Sequence, residues 1–225
     1  AGRGAVTTVA VSAPCQAGTA AVLDYGGLSL AVPLDAGGKG AIDVPGFKSR
    51  MDATLTFEDG ETMPMTLPFE EIQRVERVAL VWDMPVGLEL HALEFGADRD
   101  SDAHVGPEDE RSFNDVRRSG GGFLQAFAPA DGAGQHARVY TYYLRAGGPS
   151  GVVRMMVDFA SRRAGADGTC GDGPLASPGF TVLRTSRGME ERPIRSRLAA
   201  AGCGGDAEAA GEMIGNAVGN LVIAD

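Results

Sequence analysis

Apolar and polar side chains alternate along most of this chain, and glycine-rich turns cut the alternation into short runs. Side chains on extended backbone point to opposite faces in turn, so this period builds half-buried strands and argues against amphipathic helices. Residues 6–11, 20–25, 28–33, 53–57 and 62–67 read as strands, and Pro64 places the last of them at a sheet edge. Between them stand Ala17-Gly18, Gly26-Gly27, Gly37-Gly38 and Asp59-Gly60. The Asp59-Gly60 step between two apolar runs predicts a hairpin. Glycine makes up 33 of the 225 residues, about twice ordinary usage, as a protein of many tight turns requires.

After a break at Pro68-Phe69-Glu70-Glu71 the alternation resumes at 75–82, 88–95, 123–127, 137–145 and 152–159. Val153, Met155, Val157 and Phe159 face one way, and Trp82 shares a face with Val78 and Leu80, which assigns it to a core. Helical patterning is weak and late, at 194–201 and 207–214, before a final strand at 221–224. No βαβ alternation and no fixed repeat is present. The expected fold is all-β, with two Ig-like or jelly-roll-like sandwich domains and short C-terminal helical segments. Residues 1–70 would form a small Ig-like sandwich, and residues 71–225 a larger one with an irregular C-terminal extension.

A net charge of −10 argues against binding to nucleic acid, because phosphate neutralisation needs a basic surface. No apolar run approaches the roughly 18 residues of a membrane-spanning helix, so no membrane insertion is expected. The opening AGRGAV lacks an initiator Met, which fits a removed signal peptide, the favoured reading, or a trimmed chain. Cys170 and Cys203 lie in Gly-rich surroundings where a disulfide would offset poor local packing, contributing roughly 3 kcal/mol. Cys15 would then be free and half-buried at the end of the first strand. A bridge of this kind points to a periplasmic or secreted address.

The stretch 75–109 concentrates the chemistry: the only Trp, two of the three His and a dense group of carboxylates. Glu89 and His91 share one strand face, and the following loop adds Asp98, Asp100, Asp102 and His104. Carboxylates at alternate positions can offer several oxygens to one calcium ion. Asp98-Arg99-Asp100-Ser101-Asp102 imitates an EF-hand opening, but Ala103 replaces the required Gly and no amphipathic helices flank the loop. The expected site is therefore a looser cation centre, with Ca2+ as the ligand, formed by Glu89, His91, Asp98, Asp100, Asp102 and His104. An exposed acidic loop without a ligand is the simpler alternative. A zinc site from His91, His104 and His136 lacks a closely spaced His pair.

Nucleophile and phosphate motifs fail by context. Gly148-Pro149-Ser150-Gly151 is no nucleophile elbow, and Gly132–Ala137 leads into a strand where a dinucleotide-binding turn would open a helix. The arginines between residues 184 and 197 are interrupted by Glu190 and Glu191, so a self-neutralised loop is the expected reading.

Trp82 followed by Leu88-Glu89-Leu90-His91, then Gly121–Leu124 and the Tyr-rich run 139–144, resembles in order a bacterial extracytoplasmic β-sandwich family of unknown function. The similarity covers Val75 to Phe159. The resemblance implies secretion and a sandwich fold, and no reaction.

The expected role is a non-enzymatic binding or accessory module acting on an unknown protein or small ligand. A metal-dependent hydrolase and a structural component of a cell-envelope assembly are the alternatives.

Overall fold

The computed structural model describes residues 4–82, 87–109, 111–128, 135–160, 180–185 and 207–224. The fold is all-β, with antiparallel sheets and two short helices among these residues. The first lobe holds β1 (Val6–Ser12), β2 (Ala20–Tyr25), β3 (Leu28–Pro33), β4 (Lys39–Pro45), β5 (Arg50–Thr56) and β6 (Thr62–Pro68). They form a β1–β4 ribbon and an N-terminal sheet in the order β3-β2-β5-β6. The expected β5–β6 hairpin is present, closed by Gly60 at φ 85°, and Pro64 sits on the edge strand.

The second half contributes β7 (Val75–Trp82), β8 (Gly87–Glu94), β9 (His104–Val105), α1 (Phe113–Ser119), β10 (Gly122–Phe127), β11 (His136–Tyr143), β12 (Gly151–Ala160), β13 (Phe180–Thr185), α2 (Ala207–Val218) and β14 (Leu221–Ile223). A central sheet runs β10-β11-β7-β13, and an outer sheet runs β14-β12-β8-β9.

The central sheet is buried on both faces, which explains why β7 reads VERVALVW with so little polarity. Val78, Leu80 and Trp82 pack with Leu88, Leu90, Met155 and Val157 of the outer sheet. On the opposite face, Val75, Ala79 and Val81 join Val139, Leu183 and the first-lobe side chains Leu23, Leu30, Leu55 and Phe69. Each fully buried Leu in these layers contributes roughly 1.5–3 kcal/mol.

Arg77 projects into the second of these cores and is fully buried. Its Nη1 donates to the carbonyls of Ala5 (3.0 Å) and Gly46, its Nη2 to Gly4 O (3.1 Å), and its Nε to Thr141 Oγ1 (2.7 Å). The guanidinium also lies 5.8 Å from the centroid of the Phe47 ring. Burial pulls its pKa down to about 9, with the nearby Tyr25 opposing, so it is charged at neutral pH. A buried cation persists only when its donors are satisfied, and here first-lobe carbonyls satisfy them.

α2 packs along β12, where β14 pairs with residues 151–153. A Cβ on Gly215 would lie 3.4 Å from Val157 N, so the glycine allows the helix to approach the strand backbone. Ile214 and Val218 enter the core between the sheets. Arg184 of β13 donates to the carbonyls of Val218, Gly219 and Asn220, satisfying groups that the end of the helix leaves unpaired.

Four elements were not expected from the sequence: β4, β9, α1 and β13. β4 (KGAIDVP) alternates exposed and half-buried positions before the buried Val44 and Pro45, and is held by its ladder to β1. Cys15 is exposed and free in a single turn at Pro14–Gln16, not half-buried, because the chain has left β1 before reaching it. Cys170, Cys203 and the expected helix at 194–201 lie outside the described residues.

Candidate metal centre

The outer face of the outer sheet carries a compact polar group. Alternation puts Glu89 and His91 on that face of β8, and the β8–β12 register sets Asp158 directly opposite Glu89. One ligand atom from each of Glu89, His91 and Asp158 lies within 4.8 Å of the others. His91 is 6% exposed, whereas the side chain of Asp158 is 43% exposed.

His104 reaches the group because β9 pairs with β8, opposite Leu93. Its Nε2 lies 2.9 Å from His91 Nδ1, with the rings stacked at 5.1 Å. Gly106 makes room for the pair: a Cβ there would fall 3.0 Å from His91 Nδ1 and 3.1 Å from His104 Nε2. Arg111 holds this short strand in place, donating to His104 O (2.7 Å) and to Asp109.

The other imidazole nitrogen, His91 Nε2, is buried and makes no hydrogen bond. Asp158 Oδ2 is 3.2 Å away, within ion-pair range, but the contact does not meet hydrogen-bond geometry. Asp158 is instead gripped by Arg99, whose Nη1 and Nη2 donate to Oδ2 (2.8 Å) and Oδ1 (2.6 Å). Burial lowers the His91 pKa; Asp158 opposes this, and Arg99 and His104 add to it. The Arg99 hydrogen bonds hold the Asp158 carboxyl below its ordinary range despite partial burial.

The residues expected from the sequence are thus divided. Glu89 and His91 come together, and His104 supports His91 from behind. Asp98, Asp100 and Asp102 stay exposed on the loop between β8 and β9 and do not enter the three-residue cluster. His136 stands apart, stacked on Trp82 at 5.3 Å. Asp158 was missed, although alternation within 152–159 already turns it away from the core. Nothing local in the sequence shows that β12 lies beside β8.

A separate cleft of about 420 Å³ opens between the β1–β4 ribbon and β10, lined by Thr8, Asp43, Arg111, Phe113, Phe123 and Gln125 among others. It contains none of the cluster residues. No described helix is long and apolar enough to cross a membrane. Neither a family model, nor a curated protein, nor a solved structure matches the chain.

Proposed function

We propose that this protein is a secreted or periplasmic, non-enzymatic binding module that holds a divalent cation on its outer sheet through Glu89, His91 and Asp158. The observation that carries this reading is the buried Nε2 of His91, which makes no hydrogen bond and is grouped with the carboxylates of Glu89 on its own strand and Asp158 on β12. A buried polar atom with no hydrogen bond is unfavourable by roughly 1–3 kcal/mol; the 3.2 Å contact with Asp158 offsets part of this, and a bound cation would supply the rest. The His91–His104 contact supports the same reading, since metal-binding imidazoles commonly have their second nitrogen fixed by another group. The resemblance of residues 75–159 to an extracytoplasmic family supports the address. Metal analysis of the purified protein, with thermal melting in EDTA and in added ZnCl2 or CaCl2, tests the reading. A metal-dependent melting shift is expected; no metal and no shift would overturn it.

A further inference from the structure

We propose that the Glu89–His91–Asp158 site takes a divalent ion of the zinc class in preference to calcium, and that the ion enters in exchange for the Arg99 guanidinium. This rests on the cation-binding reading above.

The donor set argues for the class of ion. One imidazole nitrogen with carboxylate oxygens suits zinc and its neighbours, whereas calcium gathers six to eight oxygens. The spacing agrees. Two donors on a tetrahedral ion with bonds of about 2.0–2.1 Å stand about 3.3 Å apart, and His91 Nε2 and Asp158 Oδ2 are 3.2 Å apart. In the tautomer that places the proton on Nδ1, toward His104 Nε2, the Nε2 lone pair is free to face the carboxylates. Glu89, partly exposed and on the same strand face, offers a third donor within 4.8 Å of the other two.

Charge argues for the exchange. Two carboxylates and a neutral imidazole carry two negative charges, the complement of a divalent ion. Arg99 now offsets one of them, and it occupies both oxygens of Asp158, including the one nearest His91. Its side chain is 40% exposed, so water can solvate the guanidinium once it leaves this bidentate pair. The loop carrying Arg99 leaves β8 through Phe95 and Gly96, both at positive φ (52° and 85°), and folds on its own Asp98–Ser101 turn. Arg99 ties that loop to β12, so loading the site with metal releases it.

Calorimetric titration of the full chain with ZnCl2 and with CaCl2, alongside amide hydrogen exchange of residues 97–102, tests the proposal. Wild type should bind one Zn2+ more tightly than Ca2+, with faster exchange in the loop when zinc is present. Arg99→Gln should bind zinc about fivefold tighter, its loop already exchanging fast and indifferent to metal. Asp158→Asn should lose binding. If neither wild type nor Arg99→Gln binds either ion, the cation-binding reading falls and this proposal with it. Zinc binding of equal strength in both, with an unchanged loop, leaves the metal site standing and refutes the exchange. Tighter binding of calcium refutes the assigned class.

Discussion

His91 Nδ1 and His104 Nε2 stand 2.9 Å apart across the β8–β9 ladder, with glycine behind them at position 106. That contact fixes the ring of His91 and therefore the direction of its other nitrogen. His104→Ala is expected to weaken zinc binding about 10- to 100-fold, the usual effect of losing a supporting partner, as read by calorimetry. Gly106→Ala should act in the same direction by wedging the rings apart.

Arg77 joins the two lobes through first-lobe carbonyls and Thr141. Arg77→Met keeps much of the volume but orphans several buried acceptors. A loss of about 3–5 kcal/mol is expected in urea denaturation, on the scale of breaking a buried charged network. An unchanged midpoint would mean that water satisfies those carbonyls.

Arg184→Ala removes the donors at the end of α2. A destabilisation of about 1–2 kcal/mol is expected. Hydrogen exchange should quicken in residues 214–218 and along β12 more than in β2 or β5. Uniform quickening would argue against a local role.

Tyr140 donates its hydroxyl to the buried carboxylate of Glu94 at 2.8 Å, and Gly122 N donates to the same oxygen at 2.7 Å. Tyr140→Phe leaves that carboxylate short of one donor and should lower stability by about 1–3 kcal/mol. Chemical denaturation at neutral pH measures it.

Partial burial pushes the Asp109 carboxyl up, but hydrogen bonds from the Arg111 side chain and backbone more than reverse this, so it titrates below its ordinary value. A carboxyl depressed in the fold binds fewer protons there than in the unfolded chain. Its contribution is therefore present above the unfolded value and is lost as pH falls through the folded one. The pair is partly exposed, so no more than about 1 kcal/mol is at stake. Melting curves at pH 7 and pH 3 should lie closer together for Asp109→Asn than for wild type.

Much of the placement of strands along the chain was legible because period-two alternation depends on neighbours along the chain. Pro64 at an edge, the Asp59-Gly60 hairpin and Trp82 in a core all follow from local chemistry. β4 was not legible because only Ile42 and Val44 are sizeable apolar side chains on its inward face, and glycines and Pro45 flank them like a turn. The site divides along the same line. Glu89 and His91 belong to one strand, and their shared face is written in their spacing. Asp158 and Arg99 stand 59 residues apart in the chain and meet only because β12 pairs beside β8. The acidic run Asp98–Asp102 drew attention by density alone, whereas the side chain that reaches the site from that loop is the arginine in its midst.

The central sheet has consequences for how the molecule can be divided. With oily side chains above and below, it has no side fit to meet water. Severing the chain after Pro68 would strip one of those coverings and open the pocket around Arg77. The isolated fragments should therefore clump when expressed separately and regain solubility when produced together.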